Sequence, residues 1–366
     1  MENKTIESPM NNEGQYSYAQ QSSYQKGGVE SVNSLIHNQI RQKLNVRKLL
    51  ASSSSNGPHL FSIADLGCSI GPNTFIAVQN IVEAVESKCK VEGFITSEEK
   101  QENVEFQVFF NDHVTNDFNT LFKSLPVERK YYAVGNPGTF HCRLFPKASM
   151  HFVYSSYSLH WLSKVPPEVL DPRSPAWNKG KIFYGRKEVE EAYFGQYMKD
   201  IDSFLKARSE ELVSGGFMAL LVPSIPDGVD SSRCAVNALF HMLESALVDM
   251  AKMGLVDEAK VDGFNLPGYN TSPEKLKAAI DKNGCFAVEL VEQLGRPMPP
   301  ATRPSVQRFT SGIRAVIQGL LVESFGGEIM DELFDQYTQK VLDSGIFEDD
   351  SKYHPFVDLF ILLSKL

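Results

Sequence analysis

Residues 64–74 read ADLGCSIGPNT and follow directly on the apolar run LFSI at residues 60–63. Gly67 and Gly71 allow the backbone to approach a ligand closely, and the start of the following helix leaves N–H groups unpaired. Asp65 adds a carboxylate beside them. This order of apolar run, glycine-containing turn and helix start predicts a strand–turn–helix unit that handles a nucleotide-like ligand. The alternative is a tight turn that only connects a strand to a helix.

The same turn lacks the two common phosphate-binding motifs. A phosphate loop needs GxxxxGK[ST] and a dinucleotide fingerprint needs GxGxxG, and residues 64–74 contain neither. A dehydrogenase fits poorly for the further reason that no catalytic Tyr-x-x-x-Lys follows the turn. The turn therefore favours a nucleotide-like ligand without phosphates, such as S-adenosylmethionine.

Composition narrows the class of protein further. The chain has 366 residues, of which 42% are hydrophobic, and it is long enough for one large domain with an elaborated cap. A net charge of −9, without a visible basic cluster, predicts that the protein binds neither nucleic acid nor a membrane. The N-terminal residues are polar, no run of about 18 apolar residues occurs, and the cysteines are scattered without CxxC spacing. We therefore expect a soluble, cytoplasmic protein.

Apolar runs alternate with segments of helical periodicity along the chain. The predicted strands are residues 60–65, 104–110, 150–155, 217–223, 286–294 and 358–363. The predicted helices are residues 29–50, 73–86, 192–213, 306–325 and 330–342. Strands that alternate with helices predict an α/β fold with a mostly parallel, doubly wound sheet. Such a sheet binds ligands beyond the carboxyl ends of its strands, and four segments are expected to meet there: 65–71, 111–113, 139–140 and 155–161.

The remaining segments suggest additions to this sheet. Tyrosine and glutamine alternate near the N-terminus, which predicts that residues 1–28 close over the site. The α/β core is assigned to residues 29–165, 192–228 and part of 284–366. A helical cap over the substrate pocket is assigned to residues 166–191, 229–283 and about 300–325.

Seven blocks together resemble one family, the plant SABATH methyltransferases. They are SYAQQSSYQK (17–26), ADLGCSIGPNT (64–74), FFNDHVTNDFNTLF (109–122), GTFHCRLFP (138–146), SSYSLHWLSKVP (155–166), NKGKI (178–182) and DGFNLPGY (262–269). The resemblance covers nearly the whole chain. It implies a class I methyltransferase sheet under a helical cap, often as a homodimer, that transfers methyl from S-adenosylmethionine to a small carboxylic acid or, in one branch, to a purine nitrogen.

The resemblance also implies the cofactor contacts. The positions that match them are Tyr18, Asp65, Gly67, Cys68, Asn73, Asp112, His113, Thr139 and Phe140. Asp112 stands at the end of the second predicted strand, where a ribose diol would find an acceptor, although a helix-capping carboxylate is the alternative. Phe140 and His113 match the pair that encloses adenine.

The substrate contacts implied by the resemblance lie elsewhere in the chain. Gln25 and Trp161 match the amide and indole N–H donors that hold the substrate carboxylate, and Gln25 favours an acid, because purine-methylating relatives tend to carry Asn there. Tyr157, His160 and His241 match walls of the pocket, and the two histidines favour an iridoid or glycosylated acid. A histidine satisfied by local backbone is the alternative for His160.

A magnesium site is the last implied feature. The matching positions are Asn178, Asp262, Phe264 and Asn265, of which Phe264 can offer only its carbonyl oxygen. One carboxylate among amide and carbonyl oxygens is a weak set for a hard cation. A hydrogen-bonded loop of the cap is the alternative reading. A non-catalytic binding protein that keeps the fold is the chief rival to the enzyme.

Overall fold

The computed structural model of the protein describes residue 10 and residues 14–50, 59–93, 104–295, 305–348, 352–355 and 357–366. Parts of all three predicted segments therefore lie outside the described residues. These are most of residues 1–13 in the N-terminal segment, residues 51–58 and 94–103 in the α/β core, and residues 300–304 at the edge of the cap. None of the helices in the described ranges combines the length and the apolarity needed to cross a membrane.

A seven-stranded sheet forms the centre of the molecule, and the prediction of a mixed α/β fold is confirmed. The strands are β1 (His59–Leu66), β2 (Val104–Asp112), β3 (Tyr132–Pro137), β4 (Met150–Ser156), β5 (Leu212–Ser224), β6 (Phe286–Gly295) and β7 (Val357–Lys365). Their order across the sheet is β3-β2-β1-β4-β5-β7-β6, and only β7 runs antiparallel to its neighbours. The order reverses between β1 and β4, which is where an open α/β sheet offers a ligand crevice.

The helices cover both faces of this sheet. They are α1 (Tyr18–Gln21), α2 (Ser23–Lys43), α3 (Val46–Leu50), α4 (Pro72–Val91), α5 (Phe118–Lys123), α6 (Lys187–Glu211), α7 (Ala235–Lys252), α8 (Glu258–Gly263), α9 (Pro273–Asn283), α10 (Val306–Phe325) and α11 (Met330–Ser344). Helix α11 packs against both α7 and α10. The assignment of residues to core and cap stays a prediction.

Strand β1 shows why the core has two halves. Its side chains alternate between the faces of the sheet, as the period of two in a strand dictates. Phe61 and Ile63 pack against α2, α3 and α4, whereas Ala64 and Leu66 belong to the apolar cluster shared with α6 and α7. Burial on both faces explains why β1 and β4 read as largely apolar runs in the sequence.

Several boundaries differ from the predicted ones. Helix α2 begins at Ser23, not at residue 29, so Gln25 lies within its first turn. Helix α6 ends at Glu211, and the predicted helix was wrong at Leu212 and Val213, which already belong to β5. Strand β3 was not predicted, because this edge strand is short, partly exposed and ends in Gly-Asn-Pro, which is typical of a loop.

Candidate active site

The turn after β1 is held against the end of β2. The backbone N–H groups of Gly67 and Cys68 both donate to the carbonyl oxygen of Asn111, at 2.8 and 3.0 Å. Gly67 has φ +82°, and a Cβ atom there would lie 2.0 Å from Oγ of Ser158. A side chain at this position is therefore excluded both by backbone conformation and by space. The glycine predicted from the sequence to permit close approach does so toward the loop that follows β4.

Two carboxylates lie at this turn. The Asp112 carboxylate accepts hydrogen bonds from the backbone N–H of Ser69 and of His113, both at 2.7 Å, and burial raises its pKa. Asp65 accepts a hydrogen bond from the Thr74 hydroxyl, and burial raises the pKa of Asp65 to about 7. Cys68 is also buried, and burial raises the pKa of its thiol. The turn thus presents acceptors to a ligand that carries hydroxyl groups or positive charge.

The N-terminal segment lies directly on the turn. Tyr18 is only 7% exposed, and its ring carbon Cδ1 lies 3.5 Å from the place where a Cβ atom on Gly71 would be. The Asn73 amide donates to the hydroxyl and the carbonyl oxygen of Ser22, at 3.0 and 3.3 Å. Tyr18 and Ser22 therefore contact the turn and the start of α4, and the closure of residues 1–28 over the site stays a prediction.

A buried ion pair shapes the loop that carries Thr139 and Phe140. Arg208 and Glu211 on α6 are fully buried and lie 2.7 Å apart. Arg208 donates to the carbonyl oxygens of Phe140 and Cys142, both at 2.9 Å. Glu211 accepts from the backbone N–H of Leu144 and Phe145. The pair was not singled out from the sequence, because its partners are backbone atoms almost 70 residues away.

The Phe140 ring faces the turn after β1. Its Cε1 atom lies 3.9 Å from the position of a Cβ atom on Gly67, and its ring packs edge-to-face against Phe204 of α6. His113 is tied by its ring nitrogen Nδ1 to the Thr115 hydroxyl at 3.0 Å. The enclosure of adenine between Phe140 and His113 stays a prediction.

Two polar atoms without partners lie side by side after β4. Nε1 of Trp161 and Nδ1 of His160 are buried, and neither has a hydrogen-bond partner among the described residues. The two rings lie 4.8 Å apart and are inclined by 39°. Burial lowers the pKa of His160 to about 3, so its imidazole is neutral at pH 7. A buried donor without a partner is costly, and such groups mark places where a ligand completes the hydrogen bonding.

Tyr157 uses its hydroxyl within the protein. This hydroxyl donates to the Asp358 carboxylate at 2.8 Å, and the Tyr24 hydroxyl reaches the other oxygen of the same carboxylate at 3.4 Å. The rings of Tyr24 and Tyr157 meet edge-to-face at 6.0 Å. Tyr157 can therefore offer a substrate its ring more readily than its hydroxyl. Gln25, half-buried, follows Tyr24 in the first turn of α2.

His241 lies on α7 among cap residues. Its Nδ1 atom is 3.7 Å from the Glu244 carboxylate, and its ring packs against Phe183 and against the backbone at Gly185. The side chain is 30% exposed and borders a surface cavity of about 370 Å³ between α7 and α11. The place of His241 in the same pocket as His160 and Trp161 stays a prediction.

Three of the residues predicted to bind magnesium take part in hydrogen bonds within the protein. The Asn178 amide donates to Oδ1 of Asn265 at 2.7 Å and to the carbonyl oxygen of Phe183 at 3.2 Å. Oδ1 of Asp262 accepts from the backbone N–H of Gly180 at 2.8 Å. Two of the oxygens expected to face a cation thus accept N–H groups, and the magnesium site stays a prediction. Across the described ranges, no group of three or more His, Cys, Asp or Glu side chains could hold a metal ion.

Comparisons with known proteins agree with this geometry. Residues 6–366 match the family model described as "SAM dependent carboxyl methyltransferase". The chain is 43% identical to loganic acid O-methyltransferase of Catharanthus roseus over 96% of this chain and 92% of that one. It is 42% identical to farnesoic acid carboxyl-O-methyltransferase of Arabidopsis thaliana, over 90% of this chain and 92% of the relative.

A solved structure entitled "Loganic acid methyltransferase with SAH" superposes with a TM-score of 0.89 at 42% identity, over 98% of both chains. The chain is therefore a member of the family of S-adenosylmethionine-dependent carboxyl methyltransferases.

Proposed function

We propose that the protein transfers the methyl group of S-adenosylmethionine to the carboxylate of a small plant acid and forms a methyl ester. The observation that carries this proposal is the buried Nε1 of Trp161, which has no hydrogen-bond partner among the described residues. An indole N–H is a neutral donor, and a carboxylate oxygen is the acceptor that suits it. Gln25 supplies the second donor in the proposal, from the first turn of α2.

The reaction needs orientation more than acid–base chemistry. A carboxylate oxygen attacks the methyl carbon, the bond from carbon to sulfur breaks, and the sulfur keeps the electron pair as neutral S-adenosylhomocysteine. A carboxylic acid with a pKa near ~4 is already ionised at pH 7, so no proton has to move. Holding both reactants in line can lower the barrier by roughly 7–11 kcal/mol. Neutral donors such as Gln25 and Trp161 align the carboxylate without cancelling its charge.

The cofactor roles follow the acceptors at the turn. Asp112 is proposed to accept the ribose hydroxyl groups, and Phe140 and His113 to enclose the adenine. Asp65 is buried beside Asp112, and its carboxylate would stabilise the positive charge of the bound cofactor. The other proposed contacts are Tyr18, Gly67, Cys68, Asn73 and Thr139.

The leading substrate is an iridoid acid, and loganic acid is the first compound to test. Its support is the named relative at 43% identity together with the buried, neutral His160 beside Trp161. A jasmonate-, farnesoate- or phenolic-type acid is the alternative, and the farnesoic acid enzyme at 42% identity supports that branch almost equally. A purine nitrogen is less favoured, since the caffeine synthase of Camellia taliensis is 34% identical.

Labelled S-adenosylmethionine and a panel of iridoid, terpenoid, phenolic and indole acids test this proposal. We expect a labelled ester from at least one acid, and no transfer to xanthines. Transfer to a purine nitrogen alone would contradict the proposal. If S-adenosylhomocysteine binds in calorimetry but no acid or purine is methylated, the protein is a non-catalytic binder that retains the fold.

Two substitutions test the choice of acid. His160→Met should lower activity on an iridoid or glycosylated acid and spare a flat aromatic acid, with a shift in relative specificity of about 1–3 kcal/mol. His241→Ala should impair the glycosylated acid alone. Equal losses on every acid, with both variants folded, would remove the main support for an iridoid substrate.

We further propose a homodimer that is located in the cytoplasm and has no nucleic acid or membrane partner. The family resemblance supports the dimer, and the net charge of −9 supports the absence of anionic partners. Sedimentation of the purified protein checks the first point. A single species at the monomer mass of 40.9 kDa across a range of concentrations would contradict it.

A further inference from the structure

A fully buried carboxylate bonds to two segments that carry Gln25 and Trp161, the proposed donors to the substrate carboxylate. Asp358 is 0% exposed and lies on β7, paired in the sheet with Pro223 of β5. Its two oxygens accept hydrogen bonds from the hydroxyl groups of Tyr157, at 2.8 Å, and Tyr24, at 3.4 Å. Burying a carboxylate is unfavourable unless donors surround it, so both hydroxyl groups are held to this point. Asp358 therefore connects β7 to two separate segments.

One of these segments carries Gln25, and the other carries Trp161. Tyr24 precedes Gln25 in the first turn of α2, and Tyr157 begins the loop that leads to Trp161. The backbone N–H of Trp161 donates to the carbonyl oxygen of Ser158 at 3.0 Å, which makes the loop compact. A shift of either tyrosine would change the separation between the amide of Gln25 and the indole of Trp161.

The backbone at Tyr157 adds to this argument. Its φ is +53°, in the left-handed region that tyrosine rarely adopts. Such a conformation persists only where the surroundings hold it, and it is found often at functional sites. The backbone N–H of Tyr157 donates to the carbonyl oxygen of Leu221 at 2.8 Å, and its hydroxyl donates to Asp358. The residue is thus fixed at both ends, and the direction of the loop after it is fixed too.

We propose that Asp358 is a positioning residue that sets the separation of Gln25 and Trp161 and so aligns the substrate carboxylate. The proposal rests on the proposed function for its kinetic part. It does not place Asp358 in contact with substrate or cofactor. The cofactor turn is held by other bonds, from Asn111, Ser69 and Thr74, so cofactor binding should depend little on Asp358.

The test compares Asp358→Asn and Tyr24→Phe with Tyr337→Phe as a matched control. Asparagine keeps the volume of aspartate but offers one acceptor instead of two. We expect the KM of the methylated acid to rise about tenfold in Asp358→Asn, the effect of one lost hydrogen bond to a charged group. The Kd of S-adenosylhomocysteine should change less than about twofold by calorimetry, which a general loss of structure would not produce. Tyr337 lies fully buried on α11, and its substitution should leave both values unchanged.

The double variant shows whether the two residues act together. With Asp358→Asn in place, Tyr24→Phe should add less than about a twofold further rise in KM, since the shared bond is already lost. If the two substitutions instead raise KM by factors that multiply, Asp358 and Tyr24 act independently, and the proposed coupling is wrong. An unchanged KM in Asp358→Asn, or a rise in KM matched by an equal rise in the Kd, would overturn the positioning role.

Hydrogen exchange separates this inference from the proposed function. Amides of residues 23–28 should exchange faster in Asp358→Asn than in the wild type, with or without S-adenosylhomocysteine. If the wild type methylates no acid, the proposed function fails, and this measurement alone decides the inference. Unchanged exchange in residues 23–28 would then overturn it.

Discussion

At the scale of single residues, the site is defined by polar groups whose burial is unusual. Asp65, Asp112 and His160 all have pKa values moved by burial toward the neutral form. A neutral group costs less free energy to bury than a charged one, but it still needs a hydrogen-bond partner. Trp161 adds a donor that the described part of the chain does not satisfy. The free protein therefore keeps its polar groups in a costly environment that a charged cofactor and an anionic substrate would improve.

Asp112→Ala should weaken the binding of S-adenosylhomocysteine by about 1.5–3 kcal/mol, because the proposed ribose acceptor is lost from a closed site. Calorimetry measures the Kd, and a thermal melt confirms that the variant is folded. Asp171→Ala is the control, since Asp171 is an exposed carboxylate bonded to Arg173. An unchanged Kd in folded Asp112→Ala would remove Asp112 from the site.

Asp65 should make the free protein less stable as the pH rises from about 4 to about 7. Its pKa is about 7 when folded against 3.8 ordinarily, so between these values the folded state binds more protons than the unfolded state. The free energy of unfolding then falls with rising pH, by an amount on the order of 4 kcal/mol for about three pKa units. Urea unfolding of the wild type and of Asp65→Asn at pH 5 and pH 7.5 measures the difference.

Comparing the wild type with Asp65→Asn separates the effect of Asp65 on the pH dependence of stability from the effect of His160. The pKa of His160 is lowered to about 3, so its contribution is lost as the pH falls below about 6.5, which is the opposite direction. That contribution is present in both proteins and cancels. The Asn variant should gain stability relative to the wild type at the higher pH. Parallel pH profiles for the two proteins would show that Asp65 is ionised in the free protein throughout.

At the scale of elements, strand ends and helix ends place the site. Helix α6 shows this most clearly, because its last turn carries the Arg208–Glu211 pair that holds the loop at residues 139–145. The first turn of α2 brings Tyr24 and Gln25 to the same crevice from the N-terminal side. Short segments at the ends of long, well-packed elements thus carry the residues that are proposed to hold the cofactor and the substrate.

Arg208→Lys should loosen the loop that carries Phe140. Lysine keeps the charge but cannot donate to two carbonyl oxygens and to Glu211 at once. We expect the free energy of unfolding to fall by about 2 kcal/mol, because two hydrogen bonds are lost. The Kd of S-adenosylhomocysteine should rise about tenfold. Lys206→Gln on the same helix breaks an exposed ion pair with Asp202 and should change neither value. A loss of stability without any change in the Kd would separate the ion pair from the cofactor site.

The sequence predicted the elements whose signals are local. Strand β1, the glycine turn and helix α4 were found because apolar residues, glycines and a helix start follow one another within 20 residues. Asp112, His160 and Trp161 were found because they belong to blocks that resemble a family. Asp358 and Arg208 were missed as functional candidates, since their partners lie 201 and 68 residues away and no local pattern reports such contacts. Strand β3 was missed because pairing with β2 stabilises a segment of weak strand propensity.

At the scale of the whole molecule, the proposed cofactor turn and the proposed substrate loop follow neighbouring strands of one sheet. The crevice lies where the strand order reverses, with the cofactor turn on β1 and the substrate loop on β4. These two strands are neighbours, so the proposed methyl donor and the proposed acceptor are fixed relative to each other by backbone hydrogen bonds. The helices of the cap then need only to exclude water and to select the acid.

Methyl transfer should survive removal of metal ions with only modest loss. The proposed displacement needs no Lewis acid, and Asn178 and Asp262 already take part in hydrogen bonds within the protein. Activity measured after treatment with EDTA, and again after addition of Mg²⁺, tests this. Complete loss that Mg²⁺ alone restores would show that Asn178 and Asp262 rearrange to bind the ion.

The place of β7 also matters while the protein is being made. This strand lies between β5 and β6, although it follows both of them along the chain. As the ribosome releases the polypeptide, β5 and β6 therefore wait with open edges, the kind of surface on which nascent chains associate wrongly. Asp358 arrives on the same late strand, so a partly synthesised enzyme lacks the bond that fixes Tyr157. Until β7 is added, the chain therefore has open strand edges and also lacks the anchor of its substrate loop.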